Sequence, residues 1–480
     1  MKTHEAILSL VFLLFCVAPQ YANARKLVSY TSTADGSMFF QRSSLSFGKS
    51  PLGNNLVRIA VDDRHQTMDG FGAALTGSSC YNLMQMSPND RKAFLRQTFS
   101  MKKGLGFSYI RISIGCSDFS LSDYTCCDTP GIENFALTHE ETDYVIPILK
   151  EILKIQPGLK IMGSPWTCPR WMKVDNLQSL QPLNSWTDGQ LNPRYYQDYA
   201  TYFVRWVQAF EQAGIPIYSV TVQNEPLNRG NSASLFMGWK EQQQFVAEAL
   251  GPAFQKAGLT TRIYAFDHNY NYDRIPDQQQ YPLHVYDNEV AATFLSGAAY
   301  HNYGGNRREL LRIGEERPDK ELIFTETSIG MWNDGRNLAK RLPADMSEIA
   351  LGTVEYGCGA VIVWNLMLDT ERGPYRPGGC ATCYGAVDID RNDYHTISYN
   401  SHYYIIGHLS CVVRPGSIRL GTNEQSGLMT CAFRNPDNTI ALVVLNKEPC
   451  AMSFSFTADG RSYANATLPP HSVTSYLWKP

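Results

Sequence analysis

The chain is poor in charge. Asp, Glu, Lys and Arg make up 18% of its 480 residues, the formal net charge is −3, and no basic block occurs. That leaves no electrostatic footprint for a nucleic acid or an anionic membrane surface as partner. Beyond the first two dozen residues no run of 18 or more unbroken apolar residues exists, so no stable membrane insertion is expected. A second CxxC motif is missing, and so is a His pair to accompany Cys380 and Cys383 in "CATC". Nothing therefore resembles a metal-ligand set. "GFGAALTG", Gly70 to Gly77, lacks the GxGxxG spacing of a dinucleotide loop and reads as a tight turn. No internal repeat or low-complexity linker stands out.

Hydrophobic residues reach 44% and aromatics 12%. The first allows a large packed core. The second also suits sugar binding, where apolar ring faces stack on aromatic side chains. The length fits one large barrel-type domain plus a smaller one. Residues 1–24 read as an export signal: Lys2, the apolar "AILSLVFLLFCVA", and the small-x-small "ANA" at Ala22 to Ala24. The mature chain would begin near Arg25 and be secreted or periplasmic, with the cell surface possible. Phe15 stands before Cys16, where a lipid-anchored bacterial signal wants a small residue. Of 12 cysteines, 11 then remain, an odd number that implies a free thiol or an intermolecular pair. Export permits disulfides. Cys380 and Cys383 are the plausible local pair, with zinc or free thiols as alternatives. Asn465-Ala466-Thr467 is a glycosylation acceptor only in a host that glycosylates.

Strand-like and helix-like segments alternate through the middle of the chain. Eight apolar, β-branched runs read as strands. They end near Ala73, Ile114, Trp166, Glu225, Asn269, Tyr303, Glu326 and Leu366. Between them lie amphipathic stretches such as "NPRYYQDYATYFVRWVQAFEQAG", with Pro193 suiting a helix start and Gly214 a stop. Eight strand–helix units over 66–403 predict an α/β fold of the (β/α)8 TIM barrel type rather than a doubly wound sheet. From 404 to 480, short strands separated by turn residues predict a β-sandwich, which the strand-like segment at 25–65 would join.

The strand ends ring one mouth of such a barrel, so their polar residues converge. "TVQN" leads into Glu225 on strand 4, and "LIFT" into Glu326 on strand 7. Two carboxyl groups facing each other across a bound bond are what glycoside hydrolysis needs: a proton donor, and a nucleophile or base. Pro226 biases Glu225 towards extended geometry. Asn224 can hydrogen-bond a sugar hydroxyl. Strand ends also supply Arg111, Asp118, Trp166, His301, Tyr303 and Trp364. A glutamate alone at a strand end is more often an ion-pair partner, and the two tryptophans and His301 could equally be core. The facing pair tips the reading towards catalysis. Asp267 and His268 stay outside the candidate site.

"TVQNEP" and "FTETSIG" resemble the retaining family 30 glycoside hydrolases, and so do "DGFGAALTGSS", "YIRISIGCSDFS", "SPWTCPRWMK", "YHNYGG", "VIVWNLMLD" and "HSVTSYLWK". These motifs run across nearly the whole mature chain. The resemblance implies a barrel with a sandwich built from both chain ends. It implies Glu225 as acid/base and Glu326 as nucleophile, with Arg111 near the nucleophile and Asp118 on glucose hydroxyls. Trp166 and Trp364 would wall the −1 subsite, and His301 and Tyr303 would sit beside the nucleophile. No cofactor is needed. The expected partner is a β-glucan or a glucosylated lipid, met by a monomer. The loop "PLNRGNSASLFMGW" looks like the bacterial secreted β-1,6-glucanase branch. Glucosylceramide, xylan and a non-catalytic sugar-binding role are the alternatives. A lipid substrate would favour an apolar collar at the mouth, for which Phe236, Met237 and Trp239 are the candidates.

Overall fold

The computed structural model describes residues 26–231 and 233–480. The export signal read at 1–24 lies outside the described residues. Eight parallel strands form the central sheet: Gly70–Ala73, Tyr109–Ile114, Lys160–Pro165, Ser219–Thr221, Arg262–Asn269, Leu295–His301, Glu321–Glu326 and Cys358–Val363. They stand in chain order around the sheet, and the last pairs with the first. A parallel bridge from Ala74 to Arg111, with Leu75 N donating to Arg111 O at 2.8 Å, closes the barrel. Tyr109, Met162, Tyr264, Ala299, Ile323 and Ile362 fill the interior. The opposite strand faces pack under the helices.

The helix Tyr196–Gln212 shows why this sequence wraps the barrel as it does. Tyr199, Tyr202, Phe203, Trp206 and Phe210 recur at helical spacing and all are buried. Burial of such aromatics contributes about 2–3 kcal/mol each. Trp206 lies flat against strand 3, where a Cβ on Gly163 would come within 2.6 Å of the indole. The helix stops before Gly214, whose φ of 82° suits glycine.

Nine further strands form a ring, with Lys26–Thr33, Gln41–Gly48 and Leu56–Thr67 from the N-terminal side and six strands from Ile418 to Trp478. Lys26–Thr33 pairs on one side with Gln41–Gly48 and on the other with Ser472–Trp478. Leu56–Thr67 pairs with both Met452–Thr457 and Ile418–Thr422, so it joins the two sheets. Their core holds Leu27, Val57, Leu442, Phe454, Phe456 and Trp478. The domain boundary expected at 403/404 falls inside the helix Ser401–Ser410, and sandwich strands resume only at Ile418. All ten residues of that helix are buried. It therefore has no polar face to give a helical period.

Candidate active site

The mouth of the barrel holds a cavity of about 320 Å³ lined by Asp118, Glu225, Asn228, Tyr303, Glu326 and Trp364, among others. Local backbone irregularity aims its carboxylates. Strict alternation would place Glu326 on the helix-facing side with Leu322 and Phe324. The pairing register slips between Tyr300↔Phe324 and His301↔Glu326, leaving Thr325 as an extra residue. That bulge turns Glu326 inward. A second slip between Phe266 and His268 does the same for Asp267, whose φ is 75°.

Strand 4 ends at Thr221, four residues short of Glu225. The chain beyond it hangs from both neighbouring strands: Asn224 N donates to Pro165 O at 2.8 Å and Glu225 N to Asp267 O at 3.0 Å. Glu225 is not extended, contrary to the expectation from Pro226. Its φ is 45°, because a turn closed by Asn228 N on Glu225 O at 2.9 Å follows the strand directly. Such a conformation costs about 1–3 kcal/mol and persists where surrounding structure enforces it.

Arg111, fully buried, organises the site. Its Nη1 donates to Glu326 Oε2 at 2.5 Å, and its Nη2 to Asp267 Oδ2 at 2.8 Å and Asn224 Oδ1 at 2.7 Å. Its Nε donates to Ser164 Oγ at 3.0 Å. The guanidinium carbon lies 4.9 Å from the Trp166 ring centre, and Trp166 stacks on Trp364 at 5.1 Å. Tyr303 Oη donates to Glu326 Oε1 at 2.9 Å. Asn228 Nδ2 and Asn231 Nδ2 donate to Glu225 Oε2 at 2.8 and 3.2 Å. His301 bridges the halves, with Nδ1 3.4 Å from Glu225 Oε1 and Nε2 2.9 Å from Asp267 Oδ1.

The structure brings all nine sequence-derived residues together, but in two layers. Glu225, Glu326, Asp118, Tyr303 and Trp364 line the cavity. Arg111, Trp166, Asn224 and His301 are buried behind the lining. They hold the carboxylates rather than presenting open faces to a sugar. Asp267, set aside on sequence, is the missing centre: it also accepts from Thr221 Oγ1 and Thr325 Oγ1, each at 2.6 Å. His268 lies 3.9 Å from Glu225 Oε1. Asn228 and Asn231 were missed too. The asparagines of "PLNRGN" are the one signal that pointed to them. The Cys380–Cys383 disulfide forms on the cavity rim, and the zinc alternative for that pair falls away.

Charge does not balance here. Burial pushes Asp118 up to about 8, and Glu326 and Glu225 add to the push. Burial works against a charged His301, yet Glu326 and Asp267 outweigh it and raise the imidazole to about 9. Burial would also raise Glu225, but the His301 hydrogen bond and the histidine charges hold it at about 2. Glu326 is raised, chiefly by burial, against the pull of His301 and Arg111. The two glutamates are thus pushed in opposite directions.

Ligand atoms of Glu225, His301 and Glu326 lie within 4.8 Å of one another, a spacing that could hold a metal ion. Sequence spacing could not show this, since the three sit on different strands. The His301 ring is spoken for by Asp267 and carries its own proton, whereas a metal needs a neutral imidazole. The trio is better suited to moving protons.

Two buried carboxyl groups so close at a barrel mouth, over indole and amide groups, define a glycoside hydrolase. The sequence profile of the glycosyl hydrolase family 30 TIM-barrel domain matches residues 68–413, and that of the family 30 beta sandwich domain matches residues 416–476. The chain belongs to glycosyl hydrolase family 30. The solved structure of the endo-beta1,6-glucanase BT3312 is 58% identical, with a TM-score of 0.92 over 95% of this chain and 100% of that one. The endo-1,6-beta-D-glucanase BGN16.3 of Trichoderma harzianum is 29% identical over 90% of this chain and 88% of its own length. The lysosomal acid glucosylceramidase of Mus musculus is 27% identical over 88% and 83%. Among the described residues no helix is long and apolar enough to cross a membrane.

Proposed function

We propose that this protein is an exported, monomeric, retaining endo-β-1,6-glucanase. The observation that carries the substrate is the 58% identity, across essentially the whole chain, to a structure of an endo-β1,6-glucanase. The observation that favours retention is the closeness of the carboxylates, an oxygen of one lying within 4.8 Å of an oxygen of the other. Retaining enzymes hold theirs about 5–5.5 Å apart, too near for an intervening water.

In this reading a Glu326 carboxylate oxygen attacks the anomeric carbon, the bond to the leaving oxygen breaks, and Glu225 gives that oxygen a proton. Water then gives a proton back to Glu225 and attacks the same carbon, freeing Glu326 with the original stereochemistry. Glu225 must first acquire the proton it gives, and His301 Nδ1, 3.4 Å from Glu225 Oε1, is placed to relay it. Arg111 and Tyr303 favour the Glu326 carboxylate and fix its direction. Trp364 offers an apolar wall to the sugar ring, and Asp118 meets its hydroxyls.

Glucosylceramide is the second reading. Phe236, Met237 and Trp239 are at most partly exposed and form no collar. Met331 and Trp332 are instead exposed, at 55% and 54%. They are apolar surface that a lipid could use. A panel of β-1,6-linked gluco-oligosaccharides, glucosylceramide and xylan decides. Cleavage of the gluco-oligosaccharides to mixed shorter chains is expected. Activity on glucosylceramide alone, or release of only monomeric glucose from long β-1,6-glucan, overturns the assignment.

A further inference from the structure

Trp332 takes no part in the chemistry above, yet it is built into the rim. Its turn, Met331–Asn333, is closed by Gly330 N donating to Asn333 Oδ1 at 3.0 Å. Met331 N donates to Thr382 O at 2.9 Å, and Ile329–Gly330 pairs with Cys383–Tyr384. The Cys380–Cys383 disulfide staples that partner strand. The indole lies directly on Gly330, where a Cβ would come within 2.0 Å of Trp332 Cζ3. A large aromatic held this firmly, and still half in water, has been left without its partner.

The indole also divides two spaces. It lines the catalytic cavity, and it lines a neighbouring one of about 250 Å³ with Asn302, Asn333 and Glu348. Only Tyr303, Ser328 and Trp332 are common to both linings. The second space thus begins where the catalytic one ends. It offers an apolar ring face and the amides of Asn302 and Asn333, groups that grip a pyranose, while its Glu348 carboxylate is paired with Arg307.

We propose that Trp332 is the platform of a second glucosyl subsite, where the next unit of the β-1,6-glucan stacks its C–H face on the indole. The inference rests on the endo-β-1,6-glucanase reading. A 1,6 linkage adds a rotatable C5–C6 bond between units, so the neighbouring sugar is loosely placed and costs more to order. A rigid aromatic platform offsets that cost. The disulfide and the Gly330 seat supply the rigidity.

The test compares kcat/KM on β-1,6-linked glucohexaose and on an activated aryl β-glucoside for the wild type, Trp332→Ala and Trp332→Phe. The ratio of the two values does not depend on how much protein is folded. Trp332→Ala is expected to lower that ratio about tenfold, mainly through KM on the hexaose, and Trp332→Phe to restore most of it. Equal losses on both substrates, or no loss on the hexaose, overturn the subsite while leaving the endo-β-1,6-glucanase reading intact. A wild-type protein inert on the hexaose but active on the aryl glucoside overturns that reading, and the subsite with it.

Discussion

The strand Glu321–Glu326 has a glutamate at each end. At the base of the barrel, Glu321 accepts from Arg262 Nη1 at 2.8 and 2.7 Å and from Tyr264 Oη at 2.5 Å. Arg262 also reaches Asp69, which pairs with Lys160 at 2.6 Å. Two cations face two carboxylates there, and the Glu321 side chain is 46% exposed. At the mouth, Glu225, Asp267 and Glu326 gather around Arg111 and His301, and Asp118 lies by the two glutamates and Arg376, all of them all but closed to water. The base network closes its own charge in a wet setting. The mouth cannot, so it keeps protons on groups that would normally shed them. One strand thus ends in a structural pair at one side and a reactive one at the other, and the surroundings decide which.

The sharpest way to break that contrast is to remove each glutamate of the mouth. Glu326→Ala is expected to lower hydrolysis by about 10⁴-fold or more, with the fold intact. Glu225→Ala should cost about 10²–10⁴-fold on substrates with poor leaving groups and far less on activated aryl glucosides. Near-normal turnover in the first, or equal losses across leaving groups in the second, would remove those roles. Measured by chemical denaturation, Asp267→Asn should cost about 3–5 kcal/mol, because it leaves Arg111 and His301 buried and underpaired. Glu321→Gln at the wet end should cost about 1 kcal/mol or less. Equal costs would erase the distinction between the two ends. The last prediction concerns Asp118. Its folded value of about 8 stands above the ordinary 3.8, so the folded state holds an extra proton across that window. Stability then falls as pH rises from about 4 to 8, and kcat/KM falls as Asp118 ionises beside the two glutamates. Asp118→Asn should flatten the slope of Tm between pH 5 and pH 8. An unchanged slope would place the stored proton elsewhere.

Much of this was legible in the chain. Eight β-branched runs marked the barrel strands, and Glu225 and Glu326 stood out because each closes such a run. Depth was not legible. Trp166 looks like a wall of the sugar subsite in a linear reading, but the fold buries it behind the cavity lining, against Arg111. Asp267 stood at the end of strand 5 but was set aside for want of a role, and the bulge that turns it into the site is invisible in "FDHN". Trp332 was hidden because its turn meets the Cys380–Cys383 loop only in three dimensions. Glu225 defied the bias of its proline because hydrogen bonds from two flanking strands outvote a local preference.

The pairing of Lys26–Thr33 with Ser472–Trp478 has a consequence for how the molecule is made. Lys26–Thr33 gains one of its two neighbours only once Ser472–Trp478 has left the ribosome. Until then the catalytic barrel hangs between two halves of an unfinished ring, with bare strand edges open to mispairing. The sandwich therefore acts as a clasp that locks only once both of these distant strands have been made.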